Sequence, residues 1–400
     1  MLNNWFDQLE AMYEQMVDWR RFLHQYPELS FQEIETPKMV ATILESYGIE
    51  VRTNVGGRGV VGTIRGAKPG KTIALRADFD ALPIQDEKNV PYKSKIPGVM
   101  HACGHDGHTA TLLAVAKVLS DNKDSLSGNV VLLHQHAEEK LPGGAIGMIE
   151  DGCLDEVDYV FGSHLSSIAP LGTYVYRSGY SMAATDFFEI TIRGKGGHGS
   201  APHETVDSVA VASQVINQLQ LIVSRRVDPQ KEAVVTVGSF HAGNAGNVIA
   251  DSAKLTGTVR TFDPEVRSLV EEEVKQIVNR VCEAFHAQCE IIYDNGYPAL
   301  YNHEQETATF EEIIKNSLQE DMLTERPPVM GGEDFAYYLQ ERPGMFFHTG
   351  AALSNTEDRY PHHHPMFDFD EKGMVFAGKA LLSIAHHYVT ENSNINLLVK

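Results

Sequence analysis

Residues 72–83 read TIALRADFDALP: an apolar run that ends in two aspartates, Asp78 and Asp80, and stops at Pro83. The apolar residues predict a buried β-strand, and side chains two positions apart on a strand share a face. Ligands and catalytic groups collect at the carboxyl ends of strands in open α/β sheets. The two carboxylates therefore have the spacing to orient a histidine or to neutralise a metal centre together. A solvated acidic turn is the alternative interpretation.

The same design recurs in the next two predicted strands. The run VVLLHQHAEE (residues 130–139) is an apolar strand followed by Glu138 and Glu139. Neighbouring side chains at a strand end diverge, which allows Glu139 to bind a metal while Glu138 faces water as a general base. A solvated acidic turn remains open here too. A third strand, 159–162, delivers His164, which taken alone is more typical of a structural residue.

Metal-binding side chains are concentrated in MHACGHDGHT (residues 100–109), which leads into an apolar stretch at 110–119. The apolar stretch predicts a helix that begins near His105. Cys103 and His105 are two residues apart, so at a helix start both can face one point. The positive N-terminal end of the helix is expected to keep the thiol ionised, as a metal ligand requires. The alternative is a polar helix entry whose histidines cap the helix or face solvent.

Strands that alternate with helices predict a layered α/β domain. Two helical patterns, 10–26 and 34–47, open the chain ahead of a strand at 60–65. From about residue 185 the order becomes strand, helix, strand, strand, helix, strand, which matches a ferredoxin-like unit. Its predicted elements are strands at 187–193, 233–240, 255–261 and 290–293 and helices at 206–223 and 264–285. We predict a discontinuous first domain, 1–184 and 302–400, and an inserted α+β domain, 185–301.

Two further segments carry histidines in loops. The stretch YPHHHP (residues 360–365) places His362, His363 and His364 between two prolines, and any of the three could bind a metal. The glycine-rich stretch GKGGHGSAPH (residues 194–203) follows the first strand of the insertion and contains His198. Such a loop can bring a histidine donor to a substrate, or it can be a simple connector.

Composition limits the classes of function. Four hundred residues with 42% hydrophobic residues are enough for two cores, and a net charge of −21 disfavours nucleic acid and anionic membranes as partners. No apolar run approaches the roughly 20 residues that cross a bilayer, and no basic region leads the N-terminus into an apolar one. The four cysteines show no paired framework. We therefore expect a cytoplasmic globular protein that acts on a small molecule.

Taken together, these motifs resemble those of the amidohydrolase branch of the dinuclear metallopeptidases. That branch includes hippurate hydrolases, N-acyl-amino-acid deacylases and auxin-conjugate hydrolases, and it is related to aminoacylase and carboxypeptidase G. The motifs appear in family order over nearly the whole chain. They are residues 76–83, 100–109, Glu138-Glu139, His164, Gly197-His198 and His363-His364-Pro365.

The resemblance implies a zinc-peptidase-like catalytic domain with two divalent ions per subunit and an inserted lid domain that also forms a homodimer or higher homo-oligomer. Cys103 would bridge the ions, with His105 and His164 completing one site and Glu139 and His363 the other. Glu138 would be the general base, and Asp80 the carboxylate behind the metal centre. His198, Asn247 and Arg260 would be lid residues that hold the oxyanion and the substrate carboxylate, reaching in from the neighbouring subunit.

The resemblance also has departures. Members usually have Gln-Pro-Ala-Glu-Glu where this chain has His136 in place of the proline. The expected reaction is hydrolysis of the amide bond of an N-acyl-amino acid, with Mn2+ or Zn2+ as the ions. A dipeptidase or aminopeptidase acting on short peptides is the first alternative, and a non-catalytic, metal-stabilised binding protein the second. The family's last ligand lies two residues before the proline, which favours His363 over His362 and His364.

Overall fold

A computed structural model describes residues 1–390 and divides them into two compact units. The first unit comprises Met1–Ser181, Tyr301–Pro327 and the described residues from Asp334 onward. The second comprises Met182–Leu300 and Pro328–Glu333. The predicted borders are 184/185 and 301/302, whereas the units divide at 181/182 and 300/301. The short segment Pro328–Glu333 joins the second unit from far along the chain, which no sequence pattern indicates.

The first part of the chain alternates helices and strands. Its elements are α1 Leu2–Ala11, α2 Tyr13–Gln25, α3 Glu35–Ser46, β1 Glu50–Val55, β2 Gly59–Arg65, β3 Lys68–Asp78, α4 His105–Asp121, β4 Ser127–Gln135, α5 Gly144–Glu150, β5 Tyr159–Ser166, β6 Tyr174–Tyr176 and β7 Gly179–Met182. The second unit then contains β8 Ala184–Arg193, β9 Gly197–His198, α6 Ser208–Leu221, β10 Ala233–Ala242, β11 Val248–Ile249, β12 Ser252–Thr261, α7 Pro264–Ala284 and β13 Gln288–Asn295. The last elements are β14 Leu300–Asn302, α8 Glu304–Ser317, β15 Leu323–Glu325, α9 Ala336–Glu341, β16 Gly344–Gly350 and α10 Lys372–Tyr388.

The first unit is built on an eight-stranded sheet with the order β1-β2-β4-β3-β5-β16-β6-β15. Its four central strands, β4, β3, β5 and β16, are parallel, while β1, β2 and β6 run antiparallel to their inner neighbours. The carboxyl ends of the central strands therefore lie along one edge of the sheet. Helix α4, which is buried along nearly its whole length, packs into the apolar core with the inner strands. This confirms the predicted layered α/β fold class.

The second unit is a four-stranded antiparallel sheet with the order β10-β12-β8-β13 and a separate core that includes α6 and α7. The β8-α6-β10-β12-α7-β13 sequence on this strand order is the ferredoxin-like arrangement. Asp207 caps α6 by accepting the Val209 N–H at 2.9 Å, and Asp263 caps α7 in the same way. Such caps satisfy backbone donors that would otherwise be unpaired at a helix start.

One helical prediction differs from the structure. The pattern at 10–26 is expected as a single helix, but α1 already begins at Leu2 and Met12 separates it from α2. Met12 leaves helical geometry, with φ −91° and ψ 2°, and both short helices bury an apolar face. None of the helices in residues 1–390 combines the length and apolar character that a bilayer crossing requires.

Candidate metal centre

The predicted ligands of the first unit meet at the carboxyl edge of its sheet. Cys103 precedes α4, and His105 is the first residue of that helix. Between them Gly104 has φ 92°, a left-handed conformation that glycine adopts without steric cost and that turns the chain into the helix. Glu139 follows β4, and His164 lies near the end of β5.

The donor atoms lie within metal-binding range of one another. Cys103, His105 and Glu139 each offer one atom, and the three atoms are all within 4.8 Å. The Cys103 Sγ is 3.4 Å from His164 Nε2, and the His363 Nε2 is 3.1 Å from Glu139 Oε1. Residues from the first third and from the last forty residues of the chain therefore converge on one point.

The electrostatics of this cluster fit a cation. Burial alone would lower the pKa of His105, but the Asp78 and Asp80 carboxylates raise that pKa to about 10. The buried His105 Nε2 has no hydrogen-bond partner among the described residues, although such atoms normally have one. A thiol, imidazoles and a carboxylate form a donor set that suits zinc, and the surrounding carboxylates also admit manganese. The residues present therefore fit the two divalent ions that the resemblance implies.

Burial, however, corrects the expectation that the helix start keeps the Cys103 thiol ionised. Burial raises the pKa of Cys103 well above its ordinary value, and the negative charges of Glu139 and Glu138 raise it further. The helix N-terminus is worth only about 0.3–1 kcal/mol to an anion, so it does not offset burial next to several carboxylates. In the metal-free protein the thiol is neutral, and a bound cation must displace its proton.

Asp80 connects several parts of the centre. Its Oδ1 is 3.1 Å from His105 Nδ1, and its Oδ2 accepts the Ser30 hydroxyl at 2.6 Å and the Glu139 backbone N–H at 2.9 Å. The backbone oxygen of Asp80 is also 3.0 Å from His105 Nδ1. These two acceptors hold the proton on Nδ1 and leave His105 Nε2 as the atom available to a metal. The Asp80 carboxylate thereby fixes the position of the first residue of α4.

His108 was not among the predicted site residues, yet it lies inside the centre. Its Nδ1 is 2.6 Å from Asp78 Oδ1, and its Nε2 accepts the Leu165 backbone N–H at 2.8 Å. One donor atom of His108 lies within 4.8 Å of donor atoms of His105 and His164. Both of its ring nitrogens are already engaged, however, so His108 supports the strand that carries His164. Asp78 in turn receives a hydrogen bond from the buried Arg76. Of the three histidines of the 100–109 motif, His105 is consequently a candidate ligand and His108 a supporting residue.

The three histidines of the 360–365 loop occupy different surroundings. His363, with φ 66°, points its Nε2 at Glu139, whereas His362 lies in a second group with Cys103 and His164 whose donor atoms are within 4.8 Å. The His364 ring instead stacks on Tyr360, and its Nδ1 accepts the Met366 N–H. The geometry thus favours His363 or His362 over His364 as the last ligand.

The other predicted site residues belong to the second unit and are described within it. His198 in β9 pairs with Val248 in β11, which places Asn247 beside the His198 loop. The Ser200 N–H donates to His198 Nδ1 at 3.1 Å, so a neutral His198 carries its proton on Nε2 and can donate there. Arg260 is on β12, half-buried, with its guanidinium carbon 5.5 Å from the centre of the Phe187 ring.

A mixed α/β fold with a candidate metal-ligand cluster at the carboxyl edge of its sheet is the arrangement that the motifs predict for a metal-dependent hydrolase of the peptidase and amidohydrolase class. Residues 74–387 match the model of Peptidase family M20/M25/M40, and the chain belongs to this family. It is therefore an enzyme that hydrolyses amide bonds.

Curated relatives cover nearly the whole chain. A Bacillus subtilis (strain 168) protein named as an amidohydrolase, YhaA, is 55% identical over 381 residues, covering 95% of this chain and 96% of its own length. Thermostable carboxypeptidase 2 of Saccharolobus solfataricus is 43% identical and covers 91% of this chain and 94% of its own. The N-acetyl-L-cysteine deacetylase of Bacillus subtilis (strain 168) is 42% identical, with 96% and 90% covered.

Among solved structures, the Bacillus subtilis YXEP protein superimposes with a TM-score of 0.81 at 35% identity, covering 94% of this chain and 98% of its own. That protein is named as a dinuclear metal-binding peptidase of the M20 family. The resemblance inferred from the motifs is thus confirmed at the level of family, fold and enzyme class.

Proposed function

We propose that this enzyme cleaves the amide bond of N-acyl-amino acids at a centre of two divalent ions. The observation that carries the proposal is the convergence of thiol, imidazole and carboxylate donors next to Glu138, whose Oε2 lies 4.0 Å from His105 Nε2. The proposed metal ligands are Cys103, His105, Glu139, His164 and His363. A relative that covers most of the chain is named as a deacetylase of an N-acetyl-amino acid, which supports this substrate class.

Divalent ions held by Cys103, His105, Glu139, His164 and His363 would supply Lewis-acid chemistry, lowering the pKa of a bound water to about 7 and polarising the scissile carbonyl. Glu138 accepts a proton from the attacking water, whose oxygen forms the new bond to the carbonyl carbon. When the carbon–nitrogen bond breaks, Glu138 delivers the proton to the leaving amine. The products are a carboxylate and a free amino acid. Asp80 keeps His105 in the tautomer that leaves Nε2 available.

Residues of the second unit supply the proposed substrate contacts. The Nε2–H of His198 and the side-chain amide of Asn247 are suitable donors to the developing oxyanion. Arg260 suits the carboxylate of the amino-acid product because its planar guanidinium can make two parallel hydrogen bonds. We infer that these residues come from the neighbouring subunit of a homodimer or higher homo-oligomer, and that the enzyme is cytoplasmic.

Manganese and zinc are both proposed as the working ions. A thiolate ligand favours zinc, a carboxylate-rich site admits manganese, and availability can override both preferences. Reconstitution of the metal-free protein with each ion, followed by elemental analysis and activity measurement, separates the two. We expect two ions per chain.

The test is a hydrolysis screen of N-acetyl, N-benzoyl and longer N-acyl amino acids beside free dipeptides. Blocked substrates should be preferred. A preference for free dipeptides would instead favour a peptidase, the alternative that the name of the carboxypeptidase relative keeps open. Glu138→Gln should abolish turnover while two ions per chain remain bound. Unchanged turnover in Glu138→Gln would refute the mechanism, and a protein that binds metal without hydrolysing any substrate would refute the function.

A further inference from the structure

Ala137, the residue before Glu138, has a left-handed backbone with φ 52°. A residue with a Cβ atom is disfavoured in this conformation by roughly 1–2 kcal/mol, so surrounding contacts must hold it there. Its position matters because Ala137 is where the chain turns from β4 into the acidic pair. The backbone conformation of Ala137 sets the direction in which Glu138 leaves the strand end.

A buried carboxyl group holds this residue. Glu33 Oε1 accepts the Ala137 N–H at 2.9 Å, and the Ala137 carbonyl accepts the Gly144 N–H at 3.1 Å. The Glu33 residue is 0% exposed, which is rare for a glutamate. Its Oε2 has no hydrogen-bond partner among the described residues. Among the described residues, the Ala137 N–H is therefore the hydrogen-bond donor to this side chain, and the Arg58 Nε lies 3.9 Å from the Glu33 Oε2.

The segment that carries Glu33 is itself fixed. Arg58 donates to the backbone oxygens of Phe31 at 2.9 Å and of Glu33 at 2.5 Å. The Glu28 carboxylate accepts backbone N–H groups at the start of α3, among them that of Thr36 at 2.8 Å. Hydrogen bonds to the backbone before and after Glu33 therefore hold its side chain next to Ala137.

We propose that Glu33 is a positioning residue, which fixes the left-handed Ala137 and so aims Glu138 at the reacting water. The inference rests on the proposed function of Glu138 as general base. Packing alone does not account for Glu33, since burying a carboxyl group is costly and an apolar side chain would fill the same space. Burial raises the pKa of Glu33 to about 8. A protonated carboxyl still accepts with its carbonyl oxygen, as the glutamine amide does.

The test compares Glu33→Gln, which keeps an acceptor oxygen, with Glu33→Leu, which removes it. Glu33→Leu should lower kcat by about 10–100-fold, the typical effect of a misplaced catalytic group, with a much smaller change in KM. Glu33→Gln should retain most of kcat. Glu306→Leu on α8 removes another buried glutamate and is the control. It should not show the selective loss of kcat over KM that is expected for Glu33→Leu.

A second arm tests the backbone directly. Glycine adopts a left-handed φ without the cost that alanine has, so adding Ala137→Gly to Glu33→Leu should recover part of the lost kcat, relative to Ala137→Gly alone. Hydrogen–deuterium exchange of the peptide that contains Ala137 should be faster in Glu33→Leu and near wild type in Glu33→Gln.

These readouts separate the two hypotheses. If the wild type hydrolyses no N-acyl-amino acid, the proposed function fails, while exchange at the Ala137 peptide still decides the role of Glu33. Exchange unchanged in Glu33→Leu would overturn the inference. The inference would also be overturned by a Glu33→Leu enzyme with wild-type kcat, or by a loss of kcat from Glu33→Leu that is equally large in the presence of Ala137→Gly.

Discussion

Replacing Asp80 by asparagine should weaken metal binding, although asparagine has the same shape. The carboxylate accepts from His105 on one oxygen and from Ser30 and the Glu139 N–H on the other. Asparagine has one acceptor oxygen. If its NH2 group faces His105, two donors oppose each other; if it faces Glu139, the NH2 group opposes a backbone N–H. Neither orientation satisfies the site.

The size of the loss in metal affinity depends on the contacts to His105 that remain in Asp80→Asn. Loss of a carboxylate behind a metal-binding histidine typically lowers metal affinity 10–100-fold. The backbone oxygen of Asp80 stays 3.0 Å from His105 Nδ1 and still favours the correct tautomer. We therefore expect the lower end, about tenfold, or about 1.4 kcal/mol. Although burial alone would raise it, hydrogen bonds from His105 and Ser30 hold the pKa of Asp80 below its ordinary value, so the substitution also removes a negative charge.

The assay is a competition titration of metal-free protein with a chromogenic zinc chelator, with circular dichroism to verify folding. Asp186→Asn is the matched control. Asp186 is equally buried, at 1% exposure, and pairs with Arg267 in the second unit. The control should lower the unfolding temperature and keep wild-type zinc affinity. An Asp80→Asn protein that is folded and binds zinc as tightly as the wild type would refute the reasoning.

Three further outcomes are expected. Because the pKa of Glu33 is raised from 4.5 to about 8, its stabilisation is complete below pH 4.5 and is lost as the pH rises through 8. The free energy of unfolding of the wild type, measured by thermal unfolding, should therefore decrease relative to that of Glu33→Gln between pH 5 and 8.5. The decrease should be up to about 4 kcal/mol, at 1.36 kcal/mol per pH unit, and parallel pH curves for the two proteins would contradict this. Chelation should lower the calorimetric unfolding temperature reversibly, since metal at 100 times its Kd adds about 2.7 kcal/mol, and an unchanged temperature would contradict a folded-state metal site. Arg20→Met removes the cation that pairs with the buried Asp106 and the nearly buried Asp368, and it should cost about 3–5 kcal/mol by urea unfolding. The exposed Arg280→Met should cost at most about 1 kcal/mol, and equal losses would count against the buried network.

The fold was largely predictable because its elements carry local patterns. The central strands are apolar runs that end in acidic or histidine residues, and the strand-helix order from 187 onward specifies the second unit. What could not be predicted depends on partners distant in sequence. The break at Met12 has no proline or glycine to signal it, and Pro328–Glu333 joins the second unit from outside the predicted insertion.

The candidate site shows the same division. Cys103, His105 and Glu139 stand in dense motifs, so their residue types and spacing indicate a metal. Ser30 and Glu33 have no such signal, because a serine and a glutamate in a segment before a helix are ordinary surface residues until the fold buries them. Their role arises only when that segment packs against the strand ends. The part of a site that binds is thus easier to predict than the part that holds it in place.

The ionisation of Cys103 shows why. Its position before a helix predicts a thiolate, since that sequence feature supplies a local positive potential. The fold adds burial and brings in the carboxylates of Glu138, Glu139 and Asp78, and these long-range contributions oppose the local one and exceed it. The same negative charges that keep the thiol protonated are those that attract a divalent cation. A site that disfavours its own thiolate in the metal-free state is therefore consistent with a metal centre, because the cation restores the charge balance that the buried carboxylates upset.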